Sequence, residues 1–200
     1  MSRPRQFNRD DVLEKAMQIF WSQGFAGTSI QDLVKATGLN RGSLYGAFQD
    51  KENLYAEALD RYLGTEMQRC HSALKSGAPL KPVLRDLFLS IARTSESELT
   101  RRGCFVTNTA VECLPGEDRI GLMARDAILN MIHSMTDALR RAQMAGEISP
   151  ALDSESLAYF LVTSINGLRV MVRAFEDTHQ HERTVGHILS VLDVPPATIN

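Results

Sequence analysis

Residues 28–48 constrain the fold of this chain more than any other stretch, because they encode two short helices separated by a tight turn. Ser29 precedes Asp32 by three residues, which is the spacing of a capping box at the start of a helix. Gly38 can adopt the positive φ that ends a helix, and Asn40 can cap the helix that follows. The sequence therefore predicts a helix-turn-helix in this segment.

The outer face of the second of these helices has an unusual composition. Leu44 and Phe48 lie four residues apart and form its apolar stripe. A glycine inside a helix costs roughly 1 kcal/mol relative to alanine, so two exposed glycines need a compensating role. Small residues let a helix lie close to another surface, and Arg, Ser and Tyr near a helix N-terminus can donate to phosphates and base edges. The outer face consists of Arg41, Gly42, Ser43, Tyr45 and Gly46. This composition indicates that the helix is a recognition helix for the DNA major groove.

A longer pattern around this segment matches a known signature. It comprises Gly24-Phe25, Thr28-Ser29-Ile30, Ala36-Thr37-Gly38-Leu39, Gly42-Ser43-Leu44-Tyr45, Phe48, Lys51-Glu52 and Leu54. These residues resemble the DNA-binding motif of TetR-type transcriptional regulators, except that Ala47 stands where many relatives have His or another polar residue. The residues that this resemblance implies as DNA contacts are Thr28, Ser29, Arg41, Gly42, Ser43, Tyr45 and Lys51.

The resemblance also implies an architecture and a function. The architecture is all-α, with a three-helix DNA-binding domain at residues 1–50 and a larger helical domain at residues 51–200 that binds an effector and dimerises. The function is that of a regulator, most simply a repressor, which binds a palindromic operator in double-stranded DNA as a homodimer and is released by a small-molecule effector. The helix that follows Asp50 is the expected lever between the two domains.

Composition limits the other classes of protein. Two hundred residues with 44% hydrophobic content can bury a core without disulfides or metal ions. Three cysteines without paired spacing argue against a secreted disulfide framework and against a zinc site. No early apolar run resembles a signal peptide, and none approaches the roughly 20 residues of a membrane span. We therefore expect a cytoplasmic protein without membrane association, metal or cofactor.

The net charge of −2 provides no broad basic field for nucleic acid. Phosphate attraction is instead expected from a few placed groups, among them Arg41 and two arginines, Arg3 and Arg5, on an N-terminal arm. The arm is equally consistent with a plain solvated tail. Lys51 lies in the first turn of a helix, where the helix dipole disfavours a cation, so a phosphate partner accounts for its presence better than helix stability does.

The last two predicted helices, at residues 153–176 and 184–192, carry enough apolar surface for a subunit interface. TetR-type proteins dimerise through their last two long helices, so the resemblance favours an interface over the alternative, an ordinary internal core. The predicted interface consists of Leu157, Leu161, Ser164, Leu168, Val172, Phe175, Ile188 and Leu192.

Methionines and aromatic residues of the second domain can enclose an adaptable apolar cavity for an effector. The alternative is a packed core, since such stripes at helical spacing are more often core than ligand site. The predicted lining consists of Phe88, Cys104, Phe105, Asn108, Met123, Met131, Met135, Phe160 and Met171, with Asn130, His133 and Asn166 as further polar candidates.

Cys104 follows Arg101, Arg102 and Gly103 at the expected start of a short helix, where positive charge and the helix N-terminus favour a thiolate. A Gly-Cys pair here resembles a TetR subgroup with thiol-responsive members. A regulator that senses oxidants or electrophiles through Cys104 is therefore one alternative function, and an inert packed cysteine is the opposing interpretation.

Catalytic function has no support in the sequence. We find no Ser/His/Asp pattern, phosphate-binding glycine loop or metal-ligand spacing, so an enzyme is not expected. His179, His181 and His187 are interpreted as surface residues, the first two in a polar loop. An enzyme would also leave the helix-turn-helix unexplained. Another alternative is a helical carrier of apolar ligands that does not bind DNA, and it is distinguished by whether Tyr45→Ala harms DNA retention while leaving ligand uptake intact.

Overall fold

The computed structural model describes residues 7–93, 102–116 and 118–193, and the secondary structure in these ranges is helical, which confirms the all-α prediction. Arg3, Arg5, Arg101 and Pro195-Pro196 lie outside the described residues. Among the described helices, none combines the length and the apolar character that crossing a bilayer requires. In chain order the helices are α1 (Arg9–Gly27), α2 (Ile30–Thr37), α3 (Arg41–Phe48), α4 (Lys51–Tyr62), α5 (Gln68–Leu74), α6 (Leu80–Ala92), α7 (Phe105–Cys113), α8 (Arg119–Met144), α9 (Ser154–Ala174) and α10 (Thr178–Leu189).

Two compact units make up the chain. The first contains α1 to α4, the whole of α7 and the start of α8, and the second contains α5, α6, the rest of α8, α9 and α10. The first boundary, between Thr65 and Glu66, falls inside a π-helical segment, Leu63–Met67, that follows α4. Packing therefore groups residues 51–65 and 105–125 with the N-terminal helices, and the functional division at residue 50 stays a prediction.

An aromatic cluster forms the core of the first unit. Tyr55 of α4 is fully buried and meets Phe20, Phe25 and Phe105 edge to face, with ring centroids 4.7, 5.3 and 5.1 Å apart. Aromatic pairs of this kind contribute about 0.5–1.5 kcal/mol each beyond their buried area. The cluster joins α1, α4 and α7, so a helix that starts at residue 105 completes the core of the N-terminal unit.

Helix α1 has a break near its C-terminal end. Gly24 has φ 77° and ψ 179°, a conformation that residues with a Cβ rarely adopt. The hydroxyl of Thr28 donates to the carbonyl oxygen of Gly24 at 2.6 Å. The carboxylate of Glu112 in α7 accepts hydrogen bonds from the backbone N–H groups of Phe25 and Ala26. The N-cap of α2, Ser29, comes five residues after the break.

In the second unit, α6 packs against α9 and α10. The carboxylate of Glu147 accepts a hydrogen bond from the backbone N–H of Leu80 at 2.6 Å, which satisfies one of the donors left free at the start of α6. An ion pair between Arg93 and Glu182, 2.7 Å long, joins the end of α6 to α10. The buried residues of α6, spaced three or four apart along most of the helix, are Leu80, Leu84, Phe88, Ile91 and Ala92.

The last helix begins earlier than the sequence indicates. The side chain of Asp177 caps α10, so the helix starts at Thr178 rather than at residue 184. His181 therefore lies in the first turn, where it is buried and its Nε2 is 3.0 Å from the carbonyl oxygen of Phe175. The interpretation of His181 as a surface loop residue is wrong, whereas His179 is exposed on the same helix.

Candidate nucleic-acid interface

Helix α2 starts with the capping box that the sequence predicts. The hydroxyl of Ser29 accepts from the backbone N–H of Asp32 at 3.1 Å, and Asp32 accepts from the backbone N–H of Ser29 at 2.9 Å. Hydrogen bonds from the hydroxyl and the backbone N–H of Ser29 hold the pKa of Asp32 below its usual range. The carboxylate is thus ionised at a helix start, where the helix dipole favours negative charge.

The turn between α2 and α3 also forms as predicted. Gly38 ends α2 in the left-handed conformation, with φ 73°, and its N–H donates to the carbonyl oxygen of Val34 at 2.9 Å. The side chain of Asn40 accepts from the backbone N–H of Ser43 at 2.8 Å and caps α3. The two helices are held by the side chains that they bury, namely Leu33, Thr37, Leu44 and Phe48.

The opposite face of α3 carries the residues predicted for DNA recognition. Arg41, Gly42 and Gly46 are exposed, and Ser43 and Tyr45 are half-buried. The guanidinium of Arg41 lies over the ring of Tyr45, with Cζ 5.4 Å from the ring centroid. Such a contact holds two hydrogen-bond donors side by side at the surface of α3.

Internal packing does not require a glycine at either exposed position of α3. A Cβ at Gly46 would have no atom within 4 Å, and a Cβ at Gly42 would meet only the side-chain oxygen of Asn40, at 3.4 Å. Neither glycine is among those with positive φ. Alanine would therefore favour the helix by about 1 kcal/mol at each site. The missing side chains suit a surface that approaches α3 from outside the chain.

A strained turn connects α3 to α4. Gln49 has φ 68° and ψ −62°, and the N–H of Asp50 donates to the carbonyl oxygen of Phe48 at 2.8 Å. This is a γ-turn with positive φ, which is rare and costly for a residue with a side chain. The side chain of Asp50 then caps α4 by accepting from the N–H of Asn53 at 2.7 Å. Strain is thus concentrated directly after the candidate recognition helix.

Two of the implied DNA contacts have structural roles of their own. The side chain of Thr28 is only 1% exposed, and its hydroxyl is bonded to Gly24. The Nζ of Lys51 lies 4.4 Å from the ring centroid of Phe25, a cation–π contact that offsets the unfavourable helix dipole. A phosphate is therefore not needed to explain Lys51. The contacts of both residues with DNA stay predictions.

The predicted ligand-lining residues do not form one set. Phe88, Cys104, Met131 and Met135 are buried in the second unit. Phe105, Asn108 and Met123 belong to the first unit, where Phe105 packs against Tyr55 and Tyr62. Two further residues of the set lie on the surface of α9: Phe160 is 43% exposed and Met171 is 48% exposed. Their role in a ligand site stays a prediction.

An open groove of about 490 Å³ lies on the second unit between α8 and the start of α9. Charged and polar side chains line it, in contrast to the apolar cavity that the sequence predicts. Of the polar candidates named from the sequence, His133 lies here, while Asn130 is exposed elsewhere on α8. The groove is lined by Ile132, His133, Thr136, Asp137, Arg140, Glu155 and Tyr159.

The three cysteines lie in different surroundings. Cys104 is buried and directly precedes α7. Burial raises the pKa of Cys70. Burial, together with the charges of Asp118 and Glu112, also raises the pKa of Cys113. Both of these thiols are therefore less prone to form thiolates than a free cysteine. Within the described part of the chain, no group of three or more His, Cys, Asp or Glu residues is arranged to hold a metal ion.

Most residues of the predicted dimer interface belong to the core of their own chain. The reason is that α9 packs this side against α6 and α10. Phe175, at the end of α9, is 58% exposed, and Ser164 and Ile188 are half-buried. The residues of this set that the structure buries within their own chain are Leu157, Leu161, Leu168, Val172 and Leu192.

The sequence interpretation missed the other side of α9. Positions three or four residues apart along this side are exposed, although they carry large apolar or small side chains and no charge. Tyr159 and Val170, for example, are 50% and 60% exposed. The absence of charge along this side was the signal in the sequence. We call this surface the outer α9 face, and it consists of Tyr159, Phe160, Thr163, Gly167, Val170 and Met171.

The fold and this site define the chain as a helix-turn-helix DNA-binding regulator. Its N-terminal residues 12–58 match the family described as "Bacterial regulatory proteins, tetR family". Residues 81–188, which are more than half of the chain, match the family described as "Tetracyclin repressor-like, C-terminal domain". The chain therefore belongs to the TetR family.

Individual relatives support this assignment over most of the chain. The HTH-type transcriptional repressor ComR of Escherichia coli (strain K12) is 34% identical over 172 residues, which cover 86% of this chain and 82% of that protein. The uncharacterized HTH-type transcriptional regulator YezE of Bacillus subtilis (strain 168) is 27% identical, with 96% and 100% covered. A cysteine mutant of the TetR family regulator CifR, complexed with 26-bp double-strand operator DNA, superposes with a TM-score of 0.85 at 28% identity, with 96% and 100% covered.

Proposed function

We propose that this protein is a transcriptional repressor that binds a palindromic operator in double-stranded DNA as a homodimer and leaves it when a small-molecule effector binds. The observation that carries the proposal is the outward face of α3, where two glycines leave open space beside exposed hydrogen-bond donors. The relatives add support, since ComR is a repressor and the CifR mutant is complexed with operator DNA.

Recognition then depends on a small number of side chains. Arg41, Ser43 and Tyr45 supply donors for base edges and phosphates, and Gly42 and Gly46 let the backbone of α3 approach the groove. Lys51 and the capped start of α2 at Ser29 lie on the flanks as phosphate contacts. Thr28 acts mainly through its structural role at the end of α1.

Dimerisation follows from the outer α9 face. An exposed helix side with Phe160, Val170 and Met171 and no charged side chain is typical of a surface that a partner covers. Two copies of α3 that read successive major grooves of a palindromic operator lie about 34–36 Å apart. An operator on the bacterial chromosome places the dimer in the cytoplasm.

The decisive experiment changes the open space on α3 without changing charge. Gly46→Gln adds a long neutral side chain at a site where nothing inside the protein obstructs it. Gln is a better helix former than Gly, so the variant is expected to be at least as stable as the parent. Operator affinity, measured by fluorescence anisotropy on a duplex selected by the parent protein from a random library, is expected to fall roughly tenfold or more.

Gly64→Gln is the matched control. Gly64 is also an exposed helical glycine with no atom within 4 Å of an added Cβ, but it lies in the π-helical segment after α4. This variant is expected to bind the selected duplex with parental affinity. Parental affinity in Gly46→Gln as well would show that α3 does not enter the groove, and failure of the parent to select any duplex would refute the DNA-binding proposal itself.

A further inference from the structure

The carboxylate of Glu112 binds the backbone of α1 with both of its oxygens. Oε2 accepts from the N–H of Phe25 at 2.8 Å, and Oε1 accepts from the N–H of Ala26 at 2.6 Å. Glu112 is 87 residues from Phe25 and 86 residues from Ala26 in the sequence. A carboxylate that accepts two backbone N–H groups forms charge-assisted hydrogen bonds, which are stronger than neutral ones.

The break at Gly24 creates these two donors. A helix that is interrupted leaves the first N–H groups after the interruption without a partner in the helix. Phe25 and Ala26 follow the break directly, and their N–H groups point at Glu112. The position of α7 and the conformation of the end of α1 are therefore linked by a specific pair of hydrogen bonds.

Both the backbone conformation and this contact favour glycine at position 24. Its φ of 77° already disfavours a side chain, and a Cβ there would lie 2.7 Å from Oε2 of Glu112. The carboxylate thus occupies the space that the missing side chain provides. Four residues after Gly24 comes Thr28, whose hydroxyl bonds the carbonyl oxygen of Gly24, and then the N-cap of α2. The contact lies immediately before the helix-turn-helix.

We propose that Glu112 is a positioning residue for DNA binding, which holds the end of α1 in the conformation that directs α2 and α3 toward the operator. The proposal rests on the DNA-binding function proposed above. Glu112 itself does not touch DNA in this account. It makes the geometry of the helix-turn-helix dependent on α7, so any event that shifts α7 and breaks these two hydrogen bonds lowers operator affinity.

Removing the charge of Glu112 provides a clear test, because electrostatics and positioning predict opposite changes in operator affinity. Removing a negative charge from a DNA-binding unit strengthens its attraction to phosphates, so Glu112→Gln should bind DNA more tightly if only charge matters. Glutamine keeps the shape, but one of its two terminal atoms is an N–H donor and cannot accept from a backbone N–H. If Glu112 positions α1, operator affinity falls in spite of the lost negative charge.

The experiment compares Glu112→Gln with Asp60→Asn, which removes an exposed carboxylate from α4 of the same unit. Affinity for the duplex selected by the parent protein is measured in parallel with circular dichroism melting. Glu112→Gln is expected to remain folded and to bind roughly tenfold more weakly. Asp60→Asn is expected to bind with equal or slightly higher affinity. Unchanged or tighter binding by Glu112→Gln overturns the proposal.

A double-mutant cycle separates positioning from general destabilisation. Gly24→Ala forces a Cβ against the carboxylate, so it weakens operator binding most when Glu112 is present. In the background of Glu112→Ala the same change is expected to cost clearly less affinity, since the obstructing atoms are absent. Additive effects on affinity would show that the two residues act independently and would also overturn the proposal. Loss of all selection by the parent protein would instead refute DNA binding.

Discussion

The hydroxyl of Tyr55 lies 2.8 Å from the hydroxyl of Thr109, in the buried core of the first unit. Thr109 donates its own proton to the carbonyl oxygen of Phe105 at 2.7 Å, so Tyr55 is the donor in this pair. Burial raises the pKa of Tyr55, which keeps the phenol protonated and able to donate. The pair joins α4 to α7 and adds a polar link beside the aromatic contact between Tyr55 and Phe105.

The two partners of this hydrogen bond are expected to respond unequally to mutation. Tyr55→Phe removes the donor and leaves Thr109 bonded to Phe105, so the free energy of unfolding should fall by about 1 kcal/mol. Thr109→Val leaves the Tyr55 hydroxyl buried without an acceptor, so the loss should be larger, about 1–3 kcal/mol. Urea denaturation of the two variants measures both values. A greater loss in Tyr55→Phe would contradict the assigned direction of the bond.

The outer α9 face is expected to carry the dimer. Val170→Glu places a charge on the most exposed large apolar residue of this face, where a covering partner would have to desolvate it, and should convert the dimer to a monomer at micromolar concentration. Val111→Glu is the matched control, since Val111 is 81% exposed on α7 in the other unit. Sedimentation velocity distinguishes the two states. If Val170→Glu remains a dimer, the interface lies on another surface of the protein.

The strained turn after α3 predicts a stabilising mutation. Gln49→Gly removes the Cβ that opposes a φ of 68° and is expected to raise the free energy of unfolding by about 1 kcal/mol. Gln49→Ala keeps the Cβ and removes the rest of the side chain, so it should bring no such gain. Thermal melting of the two variants checks the assignment. Equal stability of the two variants would show that the φ of residue 49 does not destabilise the protein and that any change comes from loss of the glutamine side chain.

An ion pair between α1 and α4 predicts a dependence of stability on pH. Arg61 binds Glu14 at 2.8 Å. Burial raises the pKa of Glu14, but hydrogen bonds from Arg61 and Gln18 and the charge of Arg61 lower it more, and the net pKa is below 4.5. A carboxyl with a lowered folded pKa contributes stability that is complete above 4.5 and is lost as the pH falls through the folded value.

Arg61→Met is therefore expected to be less stable than the parent at pH 7, by about 0.5–1 kcal/mol because the pair is partly exposed. The difference in melting temperature between the two proteins should shrink as the pH is lowered below 4.5. Arg69→Met removes a more exposed pair with Glu66 and should cost less at every pH. A difference for Arg61→Met that stays constant down to pH 3 would show that Glu14 is not responsible.

Local signals explain which parts of the site were predictable. The capping box at Ser29, the positive φ of Gly38 and the cap at Asn40 each act within four residues, so their geometry is visible in the sequence. The structure confirms all three. The same range of action explains why the helix predicted at residues 153–176 is found at Ser154–Ala174, with Asp153 as its N-cap.

Long-range packing explains what was missed. Arg9 lies over the ring of Phe48 and pairs with Glu57, which joins the start of α1 to α3 and α4. No signal near Arg9 in the sequence indicates these partners. Glu112 is comparable, because an exposed carboxylate in a short helix shows no preference for the amides of Phe25 and Ala26 until the chain has folded.

The sequence by itself determined that this protein is all-α and carries a helix-turn-helix with small residues on its outer face. Only the tertiary structure decided which side of α9 is exposed, because that helix is apolar on both sides and periodicity does not distinguish them. One side of α9 packs on α6 and α10, which leaves the side with Val170 and its neighbours as the candidate dimer surface. A helix start depends on a few adjacent residues, whereas the buried side of a helix depends on contacts with residues far away in the sequence.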